Sequence, residues 1–197
     1  MTSAIYSKQD LFGRMFLRGL KRVVLPAVLM FMGGVLLIVM TLVSQLADAM
    51  HNPDITEDLI YAFYDSSNDF VLIILLGLIA GAVWIAFMLF SFLFKTKKID
   101  FYFSTGIQRE KLFAARFLAG AFMSVLPVVL VFAAALVINL LLFGYTGELM
   151  SGFLQQLLGL CATVLTVYTL SVLAIGLAGT VIEGFISATV LLLGTYI

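Results

Sequence analysis

Four long apolar runs without a charged side chain divide this chain, and they cover residues 23–46, 70–94, 117–143 and 153–178. A helix needs about 20 apolar residues to cross the roughly 30 Å of hydrocarbon in a bilayer. Each run is therefore long enough to span a membrane. Because a single segment can satisfy its own backbone in lipid only as a helix, the runs predict an all-α polytopic membrane protein with one transmembrane domain over residues 1–197.

Composition supports the same class. The chain is 63% hydrophobic and 11% charged, whereas soluble domains are about 45–50% apolar and about 25% charged. The net charge is zero, so no overall field favours nucleic acid as a partner. The lone cysteine, Cys161, lies in an apolar run and is expected to pack there.

A fifth apolar segment covers residues 181–197 and contains Glu183 near its start. It is barely long enough to cross a bilayer. We leave three interpretations open: a short span, a re-entrant piece, or a span that is cut off. An odd number of spans leads us to expect more helix in the intact architecture.

The basic residues predict the orientation. All eleven lie either before the first run or between the second and third, whereas the loops after the first and third runs carry acidic residues without a cation. Cytoplasmic loops are enriched in Lys and Arg. We therefore expect a multi-pass membrane protein with a cytoplasmic N-terminus. The basic residues are Lys8, Arg14, Arg18, Lys21, Arg22, Lys95, Lys97, Lys98, Arg109, Lys111 and Arg116.

Residues 1–22 are expected to form a cytoplasmic helix at the membrane surface, ahead of the first span. At helical spacing, Phe12 and Phe16 fall on one side, and Arg14 and Arg18 fall on another. Such a helix places its apolar face in the lipid interface and its cations near anionic headgroups. The simpler interpretation is a basic flank that only fixes orientation.

Several residues inside the spans are candidates for helix packing or for a polar pathway. Gly77 and Gly81 have the spacing that permits close helix approach, and Trp84 is expected to pack against another helix. A threonine row in the fourth run either faces a pathway or bonds to its own helix backbone. Glu183 either contacts other polypeptide or reaches water. The threonines are Thr163, Thr166 and Thr169.

Recognisable catalytic chemistry is missing from the sequence. It contains no phosphate-binding loop of the GxxxxGK[ST] type and no HExxH motif, so we expect neither catalysis nor a bound cofactor. His51 is the only histidine. Although acidic residues follow it, one histidine is weak evidence for a metal ion, and we expect none.

The charged stretch IDFYFSTGIQREKLFAARF, residues 99–117, separates the second and third runs. Ser104 or Thr105 can cap a helix that leads into the third span, with Glu110 near its first turn. Arg109, Lys111 and Arg116 are expected near the headgroups. From the residues alone, this loop is either a docking surface for a cytosolic protein or a simple return of the chain.

This stretch resembles a segment of the type 2 ABC-exporter permeases of bacteria. In that family the loop after the second span reads approximately D-x-x-x-S-L-P-I-x-R-x-x-L-F. The chain departs from the pattern at Thr105 and Gly106, where the family has Leu-Pro. It matches the pattern at Asp100, Ser104, Ile107, Arg109, Leu112 and Phe113.

The resemblance implies a specific architecture and partner. Such permeases have six spans, form dimers and sit on two ATPase subunits, which bind the ATP and Mg. The 95–116 loop would then supply a coupling helix that docks on the ATPase, with Arg109 and Glu110 as polar contacts. The implied coupling residues are Phe101, Tyr102, Phe103, Ser104, Ile107, Arg109, Glu110 and Lys111.

The resemblance favours the permease subunit of an ATP-driven exporter, with a second permease subunit, an ABC ATPase and the lipid bilayer as partners. Two other classes stay open: a membrane scaffold or sensor-accessory protein without transport activity, and a membrane substrate-binding subunit of an importer. The substrate cannot be deduced from these residues.

Overall fold

Five α-helices and one short 3₁₀ segment make up the computed structural model, which describes residues 8–51, 59–94, 109–143, 147–178 and 180–194. Within these ranges there is no strand. The helices are α1 (Lys8–His51), α2 (Leu59–Phe90), α3 (Arg109–Phe143), α4 (Gly147–Leu177) and α5 (Val181–Gly194), and the 3₁₀ segment is Ser91–Phe94.

The predicted fold class is confirmed. Four helices contain stretches long and apolar enough to cross a membrane, whereas the apolar stretch of α5, Val181–Val190, is shorter. The protein is therefore a multi-pass, all-α membrane protein. The four stretches are Phe12–Met40, Leu75–Phe94, Glu110–Ile138 and Ser151–Leu177.

The expected surface helix and the first span form one continuous helix. No break separates residues 8–22 from residues 23–46, because α1 runs without interruption from Lys8. The two predicted faces are nevertheless present: Phe12 and Phe16 are half-buried, and Arg14 and Arg18 are exposed. Pro26 is buried inside α1, which membrane helices tolerate when neighbours satisfy the freed backbone.

The first four helices pack as a four-membered bundle. α1 packs against α2 and α3, α4 also packs against α2 and α3, and α5 lies along α4. Gly19 of α1 lies against Ala119 of α3, and Gly34 lies against Val131. Because the residue numbers of the contacting pairs increase along both helices, α1 and α3 are parallel neighbours.

The most buried side chains lie toward one end of the bundle, which we call the basic end because it carries Arg18, Arg22, Lys111 and Arg116. In the described parts of α3 and α4, no buried residue follows Val128 and none precedes Val164. The helices therefore pack most closely near the basic end. The largest fully buried side chains there are Tyr168, Phe90, Ile85, Leu89, Ile175, Val23, Val128 and Val164.

Candidate functional site at the basic end

The α2–α3 junction, defined here as Arg22, Ser91–Phe94 and Arg116, forms where α2 ends. The last turn of α2 tightens into the 3₁₀ segment Ser91–Phe94, a common ending for an α-helix. Carbonyl groups in the last turn of a helix lack intrahelical partners and carry partial negative charge. A cation at this position is therefore favourable, and two arginines from other helices reach it.

Arg116 is the main contact of the junction. Arg116 belongs to α3, and its Nη1 donates a hydrogen bond to the Leu89 carbonyl of α2 at 3.3 Å. The centre of its guanidinium lies 3.8 Å from the ring centroid of Phe92. Such a stacked cation–π contact stabilises by roughly 0.5–2 kcal/mol, increasing with desolvation. The guanidinium thus binds the end of α2 to the start of α3.

Arg116, which was expected near the headgroups, packs against α2 within the bundle. Its side chain is only 9% exposed, because the carbonyl of Leu89 and the ring of Phe92 offer it a hydrogen-bond acceptor and a π face inside the bundle. Positive-inside reasoning places a cation at one end of a span. It does not distinguish a cation that faces lipid from one that packs on the next helix.

Arg22 connects α1 to the same segment more loosely. Its Nη2 donates to Ser91 Oγ at 3.4 Å, and Ser91 Oγ donates to the Met88 carbonyl at 3.4 Å. Both distances are long for hydrogen bonds, so this connection is weaker than the stacked contact of Arg116. The 3₁₀ segment is nevertheless held from α1 and from α3.

A row of aromatic rings leads from the junction into the bundle. Phe90 of α2 lies 5.2 Å from Phe113 of α3, centroid to centroid, and Phe113 lies 6.2 Å from Phe117. Phe117 in turn lies 5.5 Å from Tyr168 of α4. The Tyr168 hydroxyl donates to the Phe117 carbonyl at 3.1 Å, so the row ends on a buried polar contact between α3 and α4.

The start of α5 lies beside the junction. A Cβ added at Gly184 would meet Phe94 Cζ at 3.3 Å, and the rings of Phe87 and Phe185 stack with centroids 4.4 Å apart. The 3₁₀ segment and the preceding turn of α2 therefore contact α5 as well as α1 and α3.

Glu183 and Thr180 form a reciprocal cap at the start of α5. The Thr180 amide donates to Glu183 Oε2 at 3.1 Å, and the Glu183 amide donates to Thr180 Oγ1 at 3.3 Å. This arrangement is a capping box. The sequence analysis missed it, although the T-x-x-E spacing ahead of an apolar run is its signal. Glu183 thus has a local role that neither earlier interpretation included.

Most of the predicted coupling residues lie outside the described part of the chain. These are Phe101, Tyr102, Phe103, Ser104 and Ile107. The alternative cap Thr105 and the acidic residues near His51, which are Asp54, Glu57 and Asp58, also lie outside it. Arg109 is the first residue of α3, and Glu110 lies in its first turn. Glu110 and Lys111 are exposed, so both are available to a partner beside the α2–α3 junction.

The threonine row bonds to its own helix. Thr163 Oγ1 donates to the Gly159 carbonyl at 2.9 Å, Thr166 Oγ1 to the Ala162 carbonyl at 2.8 Å, and Thr169 Oγ1 to the Thr166 carbonyl at 2.8 Å. The hydroxyl protons are therefore used within α4. Of the two interpretations left open, the structure supports the local one.

The two glycines of the predicted packing pair have different surroundings. Gly81 is buried, and a Cβ there would collide with the side chain of Met30 in α1. Gly77 is exposed and has no neighbour within 4 Å of such a Cβ. Only Gly81 takes part in packing within the described helices. Trp84, which was expected to pack against another helix, is 45% exposed, so the bundle covers this side chain only in part.

The described residues of the junction join the end of α2 to α1, α3 and α5. Over the described residues, no group of three or more His, Cys, Asp or Glu side chains is placed to bind a metal ion. Comparison with known proteins adds no relative: no family model, curated protein or solved structure matches the chain significantly. A functional assignment therefore depends on the loop motif and on the α2–α3 junction.

Proposed function

We propose that this chain is the transmembrane permease subunit of an ATP-driven ABC exporter. Its 95–116 loop would be cytoplasmic and would dock on a separate ATPase subunit that binds ATP and Mg. A second permease subunit would complete the pathway. The support comes from the six motif positions between Asp100 and Phe113 and from the multi-pass helical fold.

One structural observation carries this proposal: the loop begins and ends at the α2–α3 junction, where the end of α2 contacts α1, α3 and α5. The 3₁₀ segment before the loop is held by Arg22 of α1 and Arg116 of α3, and its Phe94 lies against α5. A partner that displaces the loop would act on all of these helices together. A loop that merely returned the chain would not require a buried arginine at its base.

The proposal is tested by substituting the two polar residues at the start of α3, Arg109→Ala with Glu110→Ala. We expect about tenfold weaker association with an ATPase that carries a phosphate-binding loop, or about 1.4 kcal/mol, because the proposal places both residues among the few central contacts that cost more than about 1 kcal/mol each when truncated. The matched control is Gln155→Ala with Gln156→Ala. Both glutamines are exposed and lie in the half of α4 that is away from the basic end. Association is measured by quantitative co-purification from native membranes.

A photo-reactive amino acid at Ile107 provides a second readout that does not assume a partner. We expect cross-links to a protein with a phosphate-binding loop. Cross-links to lipid alone, together with unchanged co-purification of the Arg109 and Glu110 variant, would reject the exporter and favour a scaffold.

A further inference from the structure

Arg116 differs from the other cations at the basic end of the bundle. The side chains of Arg14, Arg18, Lys21, Arg22 and Lys111 are exposed, whereas Arg116 is 9% exposed. Burying a cation is costly unless its environment compensates the lost hydration. The compensation observed here comes from α2, through the Leu89 carbonyl and the Phe92 ring.

Both observed contacts suit a guanidinium specifically. A planar guanidinium can lie over an aromatic ring and donate from its edge at the same time, whereas a lysine ammonium is a compact point charge without this planar, forked geometry. The guanidinium therefore fixes the orientation of the 3₁₀ segment relative to α3 as well as the distance between them.

The two partners joined by Arg116 flank the loop. Phe92 lies shortly before residues 95–108, and α3 begins directly after them at Arg109. If the ends of α2 and α3 were independent, movement of the loop would be absorbed by a change in their separation. Because they are joined at Arg116, the same movement displaces them as one unit.

We propose that Arg116 is a positioning residue that clamps the end of α2 to the start of α3, so that force on the 95–108 loop is transmitted to both helices. The clamp itself follows from the geometry of the junction. Its role in coupling rests on the proposed function, because an ATPase would be the source of the force.

The clamp is tested first without any partner, by hydrogen exchange of the Ser91–Phe94 amides in lipid nanodiscs. Arg116→Lys keeps the charge but removes the stacked plane, and Phe92→Leu removes the ring. We expect each variant to increase exchange roughly fivefold, the factor that corresponds to loss of a modest cation–π contact. Phe92→Trp, which restores an aromatic face, should bring exchange back near the wild-type rate.

Two further variants separate a clamp from general destabilisation. Lys111→Ala removes an exposed cation from the same helix and should leave exchange of the 3₁₀ segment unchanged. In the double variant Arg116→Lys with Phe92→Leu, the effects should be less than additive, because both changes remove the same contact. Wild-type exchange in Arg116→Lys, or fully additive effects, would overturn the clamp.

The role in coupling has its own readout. With the ATPase bound, Arg116→Lys should reduce permease-stimulated ATP hydrolysis about fivefold while the dissociation constant of the complex stays unchanged. Equal loss of binding and stimulation would overturn the coupling role. If exchange changes as expected but co-purification and cross-linking find no ATPase partner, the clamp is established and the exporter assignment is rejected, so the two failures are distinguishable.

Discussion

Gly120 shows how tightly single residues are constrained near the basic end. A Cβ at this position would meet Leu89 Cδ1 at 2.6 Å and would also collide with the Tyr168 hydroxyl. Tyr168 is fully buried and bonded to Phe117, so its ring has little freedom to move aside. The glycine therefore permits α2, α3 and α4 to meet at one point.

We expect Gly120→Ala to destabilise the protein by about 1–3 kcal/mol, the usual cost of overpacking. For a chain of this size, this corresponds to a loss of several degrees in Tm, at roughly 2–4 °C per kcal/mol. A thiol-reactive dye that reports exposure of Cys161 on heating in detergent measures the change.

Gly176→Ala is the matched control for this substitution, because no atom lies within 4 Å of the added Cβ. It should leave Tm unchanged or slightly higher. Adding Tyr168→Phe to Gly120→Ala should recover part of the loss by removing the hydroxyl. Equal Tm values for the two alanine variants would contradict the packing described here.

At the residue scale, sequence reasoning identified residue types more reliably than their surroundings. Both Gly77 and Gly81 fit the small-residue pattern, but only the rotation of α2 decides which one meets Met30 of α1. The burial of Arg116 depends on the Phe92 ring one helix away. The pattern of a single segment contains no information about either neighbour.

At the scale of elements, the short helix α5 depends on its cap. It has 14 residues, and isolated helices of about 12–15 residues are marginal in water. The reciprocal bonds between Thr180 and Glu183 satisfy two amides at its exposed start. Glu183 therefore has a structural role as the capping residue of α5.

Substitutions at Glu183 distinguish capping from charge recognition. Glu183→Gln keeps an acceptor for the Thr180 amide and should behave like the wild type, whereas Glu183→Ala should increase hydrogen exchange of the Val181–Gly184 amides about fivefold, for a loss of roughly 1 kcal/mol. Thr189→Ala, later in α5, is the control and should not affect these amides. A glutamine variant as impaired as the alanine variant would show that the charge itself is required.

The spans themselves could be predicted from the sequence because hydropathy over about 20 residues is a strong signal. The start of the first span could not, since α1 continues through the predicted division near Val23, and the 3₁₀ form of Ser91–Phe94 had no signal in the hydropathy. Helix continuation there depends on packing against α2 and α3. The capping box of α5 was readable in the sequence and was missed.

At the scale of the whole molecule, the charge distribution gives a testable orientation. In the described helices, the exposed cations lie at the basic end, and Ser151 lies near the start of α4, in the other half of the bundle. We expect the basic end to be cytoplasmic. In a Cys161→Ser background, Arg18→Cys should react with a membrane-impermeant maleimide only after the cells are permeabilised.

Ser151→Cys serves as the opposite marker and should be labelled in intact cells. Expression and labelling after solubilisation control for loss of the protein. Labelling of Arg18→Cys in intact cells would reverse the orientation and would place the 95–116 loop out of reach of a cytosolic ATPase.

The parallel pairing of α1 with α3 also has a consequence for biosynthesis. At roughly 5–20 residues per second, a ribosome needs several seconds to extend the chain from the end of α1 to the start of α3. During that interval the face of α1 that later meets α3 is without its native partner. The native bundle can therefore close only after the third helix has been synthesised and inserted.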